Sequence, residues 1–344
     1  MKEHKKFTKI GKLSTAVNTL KHQLQFIDLT EDGTAIYDRG IELPTIELHG
    51  TVKVHGTNAA VQQLPDGTLL YQSRSKYVTL EDDNCGFASW AYTHHDQLLE
   101  VLKHYRAVFS VGDNSILTIF GEWAGTGVQP TVAISQHAKS FYIFSALESQ
   151  GLTDRYLDMT SIGHVDNPDV NIYNLWNTDM FPVFRAQLDL DNPKLVQNHL
   201  ISLTDKVEEE CPVAKYFGYS GIGEGIVWIN NEYEFRVKIK GDKHAGKSKV
   251  YKTNIVDLEK LTTVDAFVER FVDIERLEQG YAMMTELGHT NEPVTVPAFI
   301  RWVIGDVNTE ESDTLQASNL TPKDVNPAIS KKAAKWYIRR LEQL

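Results

Sequence analysis

Cysteine is scarce in this sequence, and long hydrophobic runs are missing. Only Cys85 and Cys211 occur, far apart and without a neighbouring cysteine, so neither a disulfide framework nor a zinc site is predicted. No stretch approaches the roughly 18 apolar residues of a membrane-spanning helix, and the basic start over residues 1–12 leads into no segment of signal-peptide type. These absences predict a soluble, cytoplasmic protein with reduced thiols and no membrane partner.

Positive charge is also in short supply. The chain of 344 residues carries 35 Lys and Arg against 46 Asp and Glu, which gives a net charge of −11 with neutral histidines. This acidic excess argues against a protein that coats nucleic acids, so any polyanion must bind at a local basic patch. Apolar residues at 42% and charged residues at 24% are typical of a globular protein with a substantial core.

The pattern of the sequence changes near residue 250, and at about 150 residues per domain the length favours two domains. Before that point, short β-prone runs alternate with turn signals such as Pro65-Asp66-Gly67. We therefore predict an α+β domain over residues 1–250, with mostly antiparallel sheets. The predicted strands cover residues 45–54, 59–64, 68–72, 116–120, 140–146, 225–229 and 233–239.

Residues 251–344 show a helical period instead. One broad apolar face, interrupted by a break, is predicted from Val264, Phe267, Val268, Phe271, Leu277, Tyr281, Met284 and Leu287. A second apolar stripe with a basic flank is formed by Val325, Ile329, Ala333, Trp336 or Tyr337, Leu341 and Leu344. We predict a small helical C-terminal domain.

One lysine stands in a context that suggests a nucleophile. Lys53 begins the string Lys-Val-His-Gly-Thr-Asn, where one β-prone run ends and the next begins. The ordinary interpretation of a strand lysine is a solvated side chain, and at pH 7 only about one lysine in 2,500 is neutral. A nucleophilic lysine therefore needs roughly 4 to 5 kcal/mol of help from burial or nearby cations. Gly56 would let the backbone approach a ligand closely.

A source of cations lies in residues 234–240. Strict alternation puts Arg236, Lys238 and Lys240 on one face of a strand and apolar residues on the other. A solvated strand face is the ordinary interpretation of such a row. Unpaired like charges repel each other, however, so a polyphosphate or a nucleic-acid backbone explains the row better.

Carboxylates and an aromatic ring complete the set. Glu122 and Glu224 each stand beside glycine in a strand-like run, and together they could bind ribose hydroxyls and a hard divalent cation. The aromatic run that ends at Phe144 is by default part of a core, but one of its rings could stack on a base. Arg74, in Ser-Arg-Ser-Lys, is a further candidate for binding phosphate or ribose.

Taken in order, these strings resemble the covalent nucleotidyltransferase superfamily, and most closely the phage RNA ligase 2 family with its relatives, the trypanosome RNA-editing ligases. The resemblance covers roughly residues 45–245, and its motifs are KVHGTN at 53–58, SRSK at 73–76, FGEWAG at 120–125, FYIF at 141–144, EGIVW at 224–228 and RVKIK at 236–240. It implies a nucleotidyltransferase fold with mostly antiparallel sheets around a nucleotide cleft. The helical period after residue 250 is similar to the C-terminal domain of RNA ligase 2, whereas DNA ligases and capping enzymes carry a β-barrel there.

The resemblance implies an ATP-dependent RNA ligase that acts as a monomer on 3′-hydroxyl and 5′-phosphate RNA ends, with nicked duplex RNA as the expected partner. Lys53 would carry AMP as a lysyl-AMP phosphoramidate before AMP passes to the RNA 5′-phosphate. Lys238 and Lys240 would hold phosphates and help to make Lys53 reactive. His55 and Asn58 are similar to the family's residues for the later, RNA-dependent steps.

The nucleotide site is implied in the same way. Glu122 would bind the adenosine ribose, and Phe144 would stack on adenine. Glu224 would help to place Mg²⁺ or Mn²⁺, with Glu122 as the second expected metal ligand. Arg74 would touch the nucleotide or the RNA end. The other residues implied at the nucleotide are Val54, Gly56 and Asn58.

Some features depart from the family or point elsewhere. Val52 and Ser145 stand where relatives often have acidic residues, which leaves base discrimination open. Residues 241–248 match the phosphate-loop pattern, but the strand before them alternates in polarity, whereas the strand before such a loop is normally buried on both faces. A DNA-joining or capping enzyme and a non-catalytic protein that binds RNA ends remain as alternatives.

Overall fold

The computed structural model describes residues 4–29, 35–38, 41–162, 165–241, 264–289 and 293–341. The chain divides into two compact units, Met1–Gly241 and Asp242–Leu344. The boundary predicted near residue 250 lies outside the described residues, as do residues 242–248 of the phosphate-loop pattern. In the described part of the chain, no helix has both the length and the apolar character needed to cross a membrane.

The first unit combines helices with strands. Its helices are α1 (Leu13–Gln25), α2 (Phe87–Thr93), α3 (His95–Phe109), α4 (Lys194–Glu209) and α5 (Pro212–Tyr216). Its strands are β1 (Phe26–Leu29), β2 (Ala35–Tyr37), β3 (Thr45–Val52), β4 (Thr57–Gln63), β5 (Leu69–Ser73), β6 (Ile116–Ala124), β7 (Ser140–Gln150), β8 (Thr153–Tyr156), β9 (Ile172–Asn174), β10 (Val183–Asp189), β11 (Gly225–Asn230) and β12 (Phe235–Lys240). Each of the predicted β-prone runs overlaps one of these strands.

Two larger sheets organise this unit. One has the order β10–β3–β11–β12, and the other has the order β5–β4–β6–β7–β8, with the short β9 added parallel to β7. Apart from β9, neighbouring strands in these sheets are antiparallel. Strands β11 and β12 are antiparallel neighbours, whereas the strand that leads into a phosphate loop belongs to a parallel sheet. The predicted α+β class with mostly antiparallel sheets is confirmed.

Helices cover each sheet on one side. Leu98, Leu102 and Tyr105 recur at helical spacing along α3 and are buried in a core that includes residues from β4, β6 and β7. Helix α4 packs against β10, β11 and β12. Because one face of each sheet is buried, polar side chains are expected at strand ends and on the connections between the sheets.

The second unit is helical in its described residues. Its helices are α6 (Val264–Phe271), α7 (Ile274–Glu286), α8 (Val296–Glu310), α9 (Ser312–Ala317) and α10 (Pro322–Leu341). The predicted break falls between α6 and α7, where the Asp273 side chain accepts a hydrogen bond from Arg276 N at 2.9 Å and so caps α7. The prediction that Leu287 joins the apolar face is wrong, because it ends α7 with 45% of its surface exposed. The helical C-terminal region is confirmed.

The apolar stripe predicted for the last helix lies on α10. Its buried members are Val325, Ile329, Ala333 and Tyr337, and Trp336 packs against the same core from a partly exposed position. The spacing of three and four residues puts these side chains on one face. Leu344, the last residue of the predicted stripe, lies outside the described residues.

Candidate active site

The four residues that follow β3 carry the chain from one sheet into the other. Lys53 is the first of them, and its backbone N donates a hydrogen bond to Gly225 O at 2.8 Å, which ties it to the start of β11. Gly56 is the last, and its backbone N donates to Glu122 Oε1 on β6 at 3.0 Å. The connection is therefore fixed to a strand of each sheet at its two ends.

Glycine is required at the end of this connection by the packing around it. A Cβ at Gly56 would lie 2.4 Å from Trp123 O and 2.7 Å from Ala124 Cβ, which is closer than nonbonded atoms can approach. Gly225 is restricted in the same way, because its Cβ would meet Ile239 O at 2.2 Å and its φ is +148°. The first close approach sets the end of the connection against β6, and the second sets the start of β11 against the end of β12.

Glu224 lies at the centre of a cluster of charged side chains. It is only 2% exposed and directly precedes β11. Lys53 Nζ donates to Glu224 Oε2 at 2.5 Å, and Lys240 Nζ, at the end of β12, lies 3.0 Å from Glu224 Oε1. His55 Nδ1 is 3.0 Å from Oε2. Two lysines from distant parts of the sequence therefore share one carboxylate.

The ionisation of Glu224 follows from these contacts. Burial by itself raises the pKa of a carboxyl group, but the charges of Lys53 and Lys240 act in the opposite direction, and the contact with His55 adds to them. Together they hold the pKa of Glu224 well below its usual range. Glu224 is therefore a fixed negative charge that holds the lysine ammonium groups in place.

Glu122 is the second carboxylate of the site, and its environment is different. It lies on β6 directly opposite Asn58 of β4, and antiparallel partners in register point to the same side of the sheet. Burial raises the pKa of Glu122; the charge of Lys53 lowers it, and the nearby Glu224 raises it further. Glu122 and Asn58 form a polar pair next to Gly56.

The cationic strand differs from a simple row of exposed charges. Lys238 and Lys240 are partly buried on β12, whereas Arg236 is 7% exposed and its guanidinium lies 3.9 Å from the centroid of the Tyr156 ring. A cation over an aromatic face is stabilised without a counter-ion. Arg236 therefore differs from the two lysines of the same strand, because alternation predicts the face of a strand but not what covers it.

The remaining predicted residues lie around this cluster. Val54 is buried within the connection, and Phe144 is partly buried at an irregularity in the pairing of β6 with β7. Arg74 is exposed, one residue after β5, and stands outside the hydrogen-bonded group around Glu224. Three further lysines follow β12, at 243, 247 and 249. Their place in a basic stretch makes them candidates for contacts with an RNA backbone, and they lie outside the described residues.

The donor set fits a hard divalent cation only in part. Glu224 and Glu122 offer carboxylate oxygens, the ligands that Mg²⁺ and Mn²⁺ prefer. Within the described ranges, no group of three or more His, Cys, Asp or Glu side chains is arranged to enclose a metal. Two carboxylates suit an ion that keeps water and substrate phosphate oxygens as its other ligands, which is the usual behaviour of Mg²⁺.

One part of this region was missed by sequence reasoning. Phe7, from the segment before α1, packs against Phe144 and Phe120. Its surroundings in sequence, His-Lys-Lys-Phe-Thr-Lys, carry no strand or helix period. The only local signal is an aromatic residue among lysines, which by itself indicates no contact.

Comparison with known proteins identifies the family of the chain. The RNA ligase family model matches residues 46–240, more than half of the chain. Structures of Naegleria gruberi RNA ligase are similar: the ligase with PPi has a TM-score of 0.44 and 14% identity over 72% of this chain and 58% of that chain. A mutant with AMP and Mn has a TM-score of 0.44 and 14% identity, with coverage of 71% and 58%.

The chain thus spans less than two thirds of the length of those structural neighbours. A comparison with curated proteins gives no significant match. The family match covers Lys53, Glu122, Glu224 and Lys240. The chain belongs to the RNA ligase family.

Proposed function

We propose that this chain is an ATP-dependent RNA ligase that joins a 3′-hydroxyl end to a 5′-phosphate end through lysyl-AMP and RNA-adenylate intermediates. The observation that carries the proposal is the placement of Lys53 Nζ and Lys240 Nζ on opposite oxygens of the buried Glu224. This arrangement sets a candidate nucleophile beside a phosphate-binding cation. The match to the RNA ligase family supports RNA as the substrate.

In the first step, the neutral amine of Lys53 attacks the α-phosphorus of ATP. A P–N bond forms, the bond from the α-phosphorus to the oxygen it shares with the β-phosphorus breaks, and pyrophosphate leaves while the amine loses a proton. The Lys53 amine must part from Glu224 for this attack. A phosphate that takes the place of the carboxylate offers Lys240 and Lys238 a new anionic partner. This matters because an enzyme assists phosphoryl transfer mainly by positioning the reactants and neutralising their charge.

In the second step, an oxygen of the RNA 5′-phosphate attacks the phosphorus of lysyl-AMP, and the P–N bond breaks to return the Lys53 amine with a proton. In the third step, the RNA 3′-hydroxyl attacks the 5′-phosphorus and AMP leaves. His55, Asn58 and Arg74 are assigned to these steps. His55 contacts Glu224, and Asn58 lies opposite Glu122, and these two positions support the assignment.

For the nucleoside, Glu122 is assigned to the ribose hydroxyls and Phe144 to stacking on adenine. Val54 and Gly56 line the connection beside them. Glu224 and Glu122 are the residues that would hold Mg²⁺ or Mn²⁺, which when bound neutralises phosphate charge and acts as a Lewis acid. The Naegleria gruberi structures with ATP and Mn or with AMP and Mn are consistent with the use of a nucleotide and a divalent metal.

The decisive experiment is self-labelling with ATP. Incubation with α-³²P-ATP and Mg²⁺ or Mn²⁺ should label the chain, γ-³²P-ATP should not, and peptide mapping should place AMP on Lys53. Lys53→Arg keeps the charge beside Glu224 but supplies no neutral amine, so it should abolish labelling without unfolding the chain. Lys215→Ala is the matched control, because Lys215 pairs with Glu210 and not with Glu224. Wild-type labelling of the Lys53→Arg variant would overturn the proposal.

The substrate is tested on labelled protein. Nicked duplexes with RNA or DNA on each side of the break, together with single-stranded RNA, should show fastest sealing where both ends are RNA in a duplex. Labelling by GTP in place of ATP would favour a capping-type enzyme, and preferential sealing of all-DNA nicks would favour a DNA ligase. Labelling without any sealing would leave only a nucleotide-binding protein that attaches AMP to itself.

A further inference from the structure

The segment that precedes α1 runs across the first unit and touches both of its larger sheets. Its start is at the end of β5, where His4 Nε2 lies 3.2 Å from Ser73 O. It then reaches β8, where Lys5 Nζ lies 3.1 Å from an Asp154 oxygen and Thr8 N donates to the Tyr156 hydroxyl at 3.1 Å. We call residues 4–12 the N-terminal strap.

The strap continues to the cationic strand of the other sheet. Gly11 forms a parallel bridge with Val237, and the backbone N of Lys238 donates to Gly11 O at 3.2 Å. The strap is therefore hydrogen-bonded to the strand that supplies Lys238 and Lys240. Its anchors are spread over long sequence separations, so the strap takes its place only when both sheets are folded.

Between these anchors, one aromatic side chain of the strap enters the face of the sheet that carries the site. The centroid of the Phe7 ring lies 4.9 Å from that of Phe144, and the two rings meet edge-on. The centroids of the Phe120 and Tyr156 rings lie 5.3 Å and 5.8 Å from it. Phe120 is 1% exposed and stands two residues before Glu122 on β6, so both point to the same side of the sheet. Phe7 thus contacts the ring assigned to adenine, on the face that carries Glu122.

We propose that Phe7 is a positioning residue for nucleotide binding, because its edge-on contact holds the Phe144 ring in the orientation that stacks on the base. This role rests on the proposed function. An aromatic ring that is only partly buried turns about two side-chain bonds unless neighbours restrict it, and Phe7 restricts Phe144 from the strap side. The strap then links the base-stacking ring to the strand of the phosphate-binding lysines.

A contact of this kind acts on ATP binding more than on the reaction of bound ATP. An aromatic pair contributes about 0.5–1.5 kcal/mol, which corresponds to roughly 2- to 12-fold in affinity. In ATP the base and the phosphates are attached to opposite ends of the ribose, and the proposed attack by Lys53 takes place at the α-phosphorus. Loss of the Phe7 ring should therefore raise the half-saturating ATP concentration within that range and leave the rate at saturating ATP within about twofold.

The test measures lysyl-AMP formation against ATP concentration in the full chain for Phe7→Ala, Phe7→Leu and Phe7→Tyr. Alanine and leucine should raise the half-saturating ATP concentration, and tyrosine should restore it. Phe109→Ala is the matched control: it removes a partly buried ring from the core under α3, and it should leave ATP saturation unchanged. Leucine keeps an apolar contact, so it provides a folded variant should alanine weaken the fold.

The reverse reaction separates positioning from a general structural effect. Pyrophosphate converts labelled protein back to free chain and ATP, and it binds through phosphate contacts without a base. The Phe7→Leu variant should need the same half-saturating pyrophosphate as the wild type. In Phe144→Ala, removal of the Phe7 ring should cause no further rise in the ATP requirement, because the ring it orients is gone.

The outcomes distinguish the two proposals. A wild-type chain that takes no label from ATP would overturn the proposed function, and this role with it. A labelled wild type with unchanged ATP saturation in Phe7→Leu and Phe7→Ala would overturn the role alone. Equal rises for ATP and pyrophosphate, or effects of Phe7 and Phe144 that add in full, would show that Phe7 only stabilises the fold and would also overturn the role.

Discussion

Lys53 Nζ lies 2.5 Å from Glu224 Oε2, although 171 residues separate these two residues in the chain. The contact joins the end of β3 to the start of β11, and Lys240 occupies the other oxygen of the same carboxylate. Glu224 therefore organises the lysines before any nucleotide is present. Its charge and its burial make it the residue whose replacement tests the site most directly.

Glu224→Gln should reduce the loss of stability that the wild type suffers in acid. The pKa of Glu224 is raised by burial but lowered more by Lys53 and Lys240, so in the folded state it lies well below its ordinary value. The stability that this carboxylate contributes is complete above about pH 4.3 and is lost as the pH falls toward the folded-state pKa. Between about pH 6 and about pH 3, the free energy of unfolding measured in urea should fall less for the variant than for the wild type.

At neutral pH the same variant should be less stable than the wild type, because the buried carboxylate that pairs with both Lys53 and Lys240 is lost. Self-labelling with ATP should also fall. Glu100→Gln, at an exposed position of α3, is the control and should leave both the pH dependence and the labelling unchanged. An unaltered acid transition in Glu224→Gln would contradict the ion pairs described here.

Glu122→Gln should change the pH dependence of stability in the opposite direction. Burial raises the pKa of Glu122, so folding favours the protonated form. The stability that the protonated carboxyl group contributes is complete below about pH 4.3 and is lost as the pH rises through the folded-state pKa. Glutamine keeps an oxygen to accept the Gly56 N–H and carries no charge to bury. The variant should be at least as stable as the wild type at pH 7 to 8 in urea unfolding.

The gain in stability should come with weaker nucleotide binding. Replacing a carboxylate that accepts ribose hydroxyls with an amide removes about 1 kcal/mol of hydrogen-bond energy, so the half-saturating ATP concentration should rise about fivefold. Saturation of self-labelling with ATP measures this directly. A variant that is less stable at pH 8 but binds ATP normally would show that Glu122 serves the fold and not the nucleoside.

Much of the site could be predicted from sequence because its residues lie in short strings of recognisable spacing. Lys53, Glu224 and Lys240 were each singled out in such a string, and alternation along β12 set the faces of its side chains. What covers a face was not predictable: Arg236 lies over Tyr156, a contact set by how β12 meets β8. The local pattern holds no information on such tertiary neighbours.

The N-terminal strap was missed for a related reason. Phe7 has its partners on β6, β7 and β8, far along the chain, and the strap itself has no regular secondary structure apart from the bridge at Gly11. Periodicity is the main sequence signal for structure, and an extended segment that packs by single side chains has none. Helices α1, α3 and α4 differ from the strap, because their buried residues recur at helical spacing and so carry a signal in the sequence.

Gly56→Ala should damage the site through packing alone. The added Cβ would meet Trp123 O at 2.4 Å, and backbone cannot move aside as a flexible side chain can. Overpacking of this kind costs about 1–3 kcal/mol, and relief of the clash would displace Lys53 and His55 from Glu224. Thermal unfolding should show a lower midpoint, and self-labelling should fall more than the loss of folded protein explains.

Gly305→Ala provides the comparison for this variant. Gly305 lies within α8, and a Cβ there meets nothing within 4 Å. Alanine is favoured over glycine in a helix by about 1 kcal/mol, so this variant should be slightly more stable than the wild type. Equal stability losses for the two variants would mean that the close approach at Gly56 does not exist.

Removal of residues 251–344 should separate the steps of the reaction. The first unit has its own core and contains Lys53, Glu122, Glu224 and Lys240, so the shortened chain should fold and label itself with ATP. Joining of nicked duplex RNA should fall by about 100-fold, the effect of misplacing a reactant when positioning contacts are lost. Circular dichroism melting would verify the fold, and a pre-adenylated nicked RNA would isolate the final step. If labelling and joining decline to the same extent, the helical unit only stabilises the rest of the chain and takes no part in holding RNA.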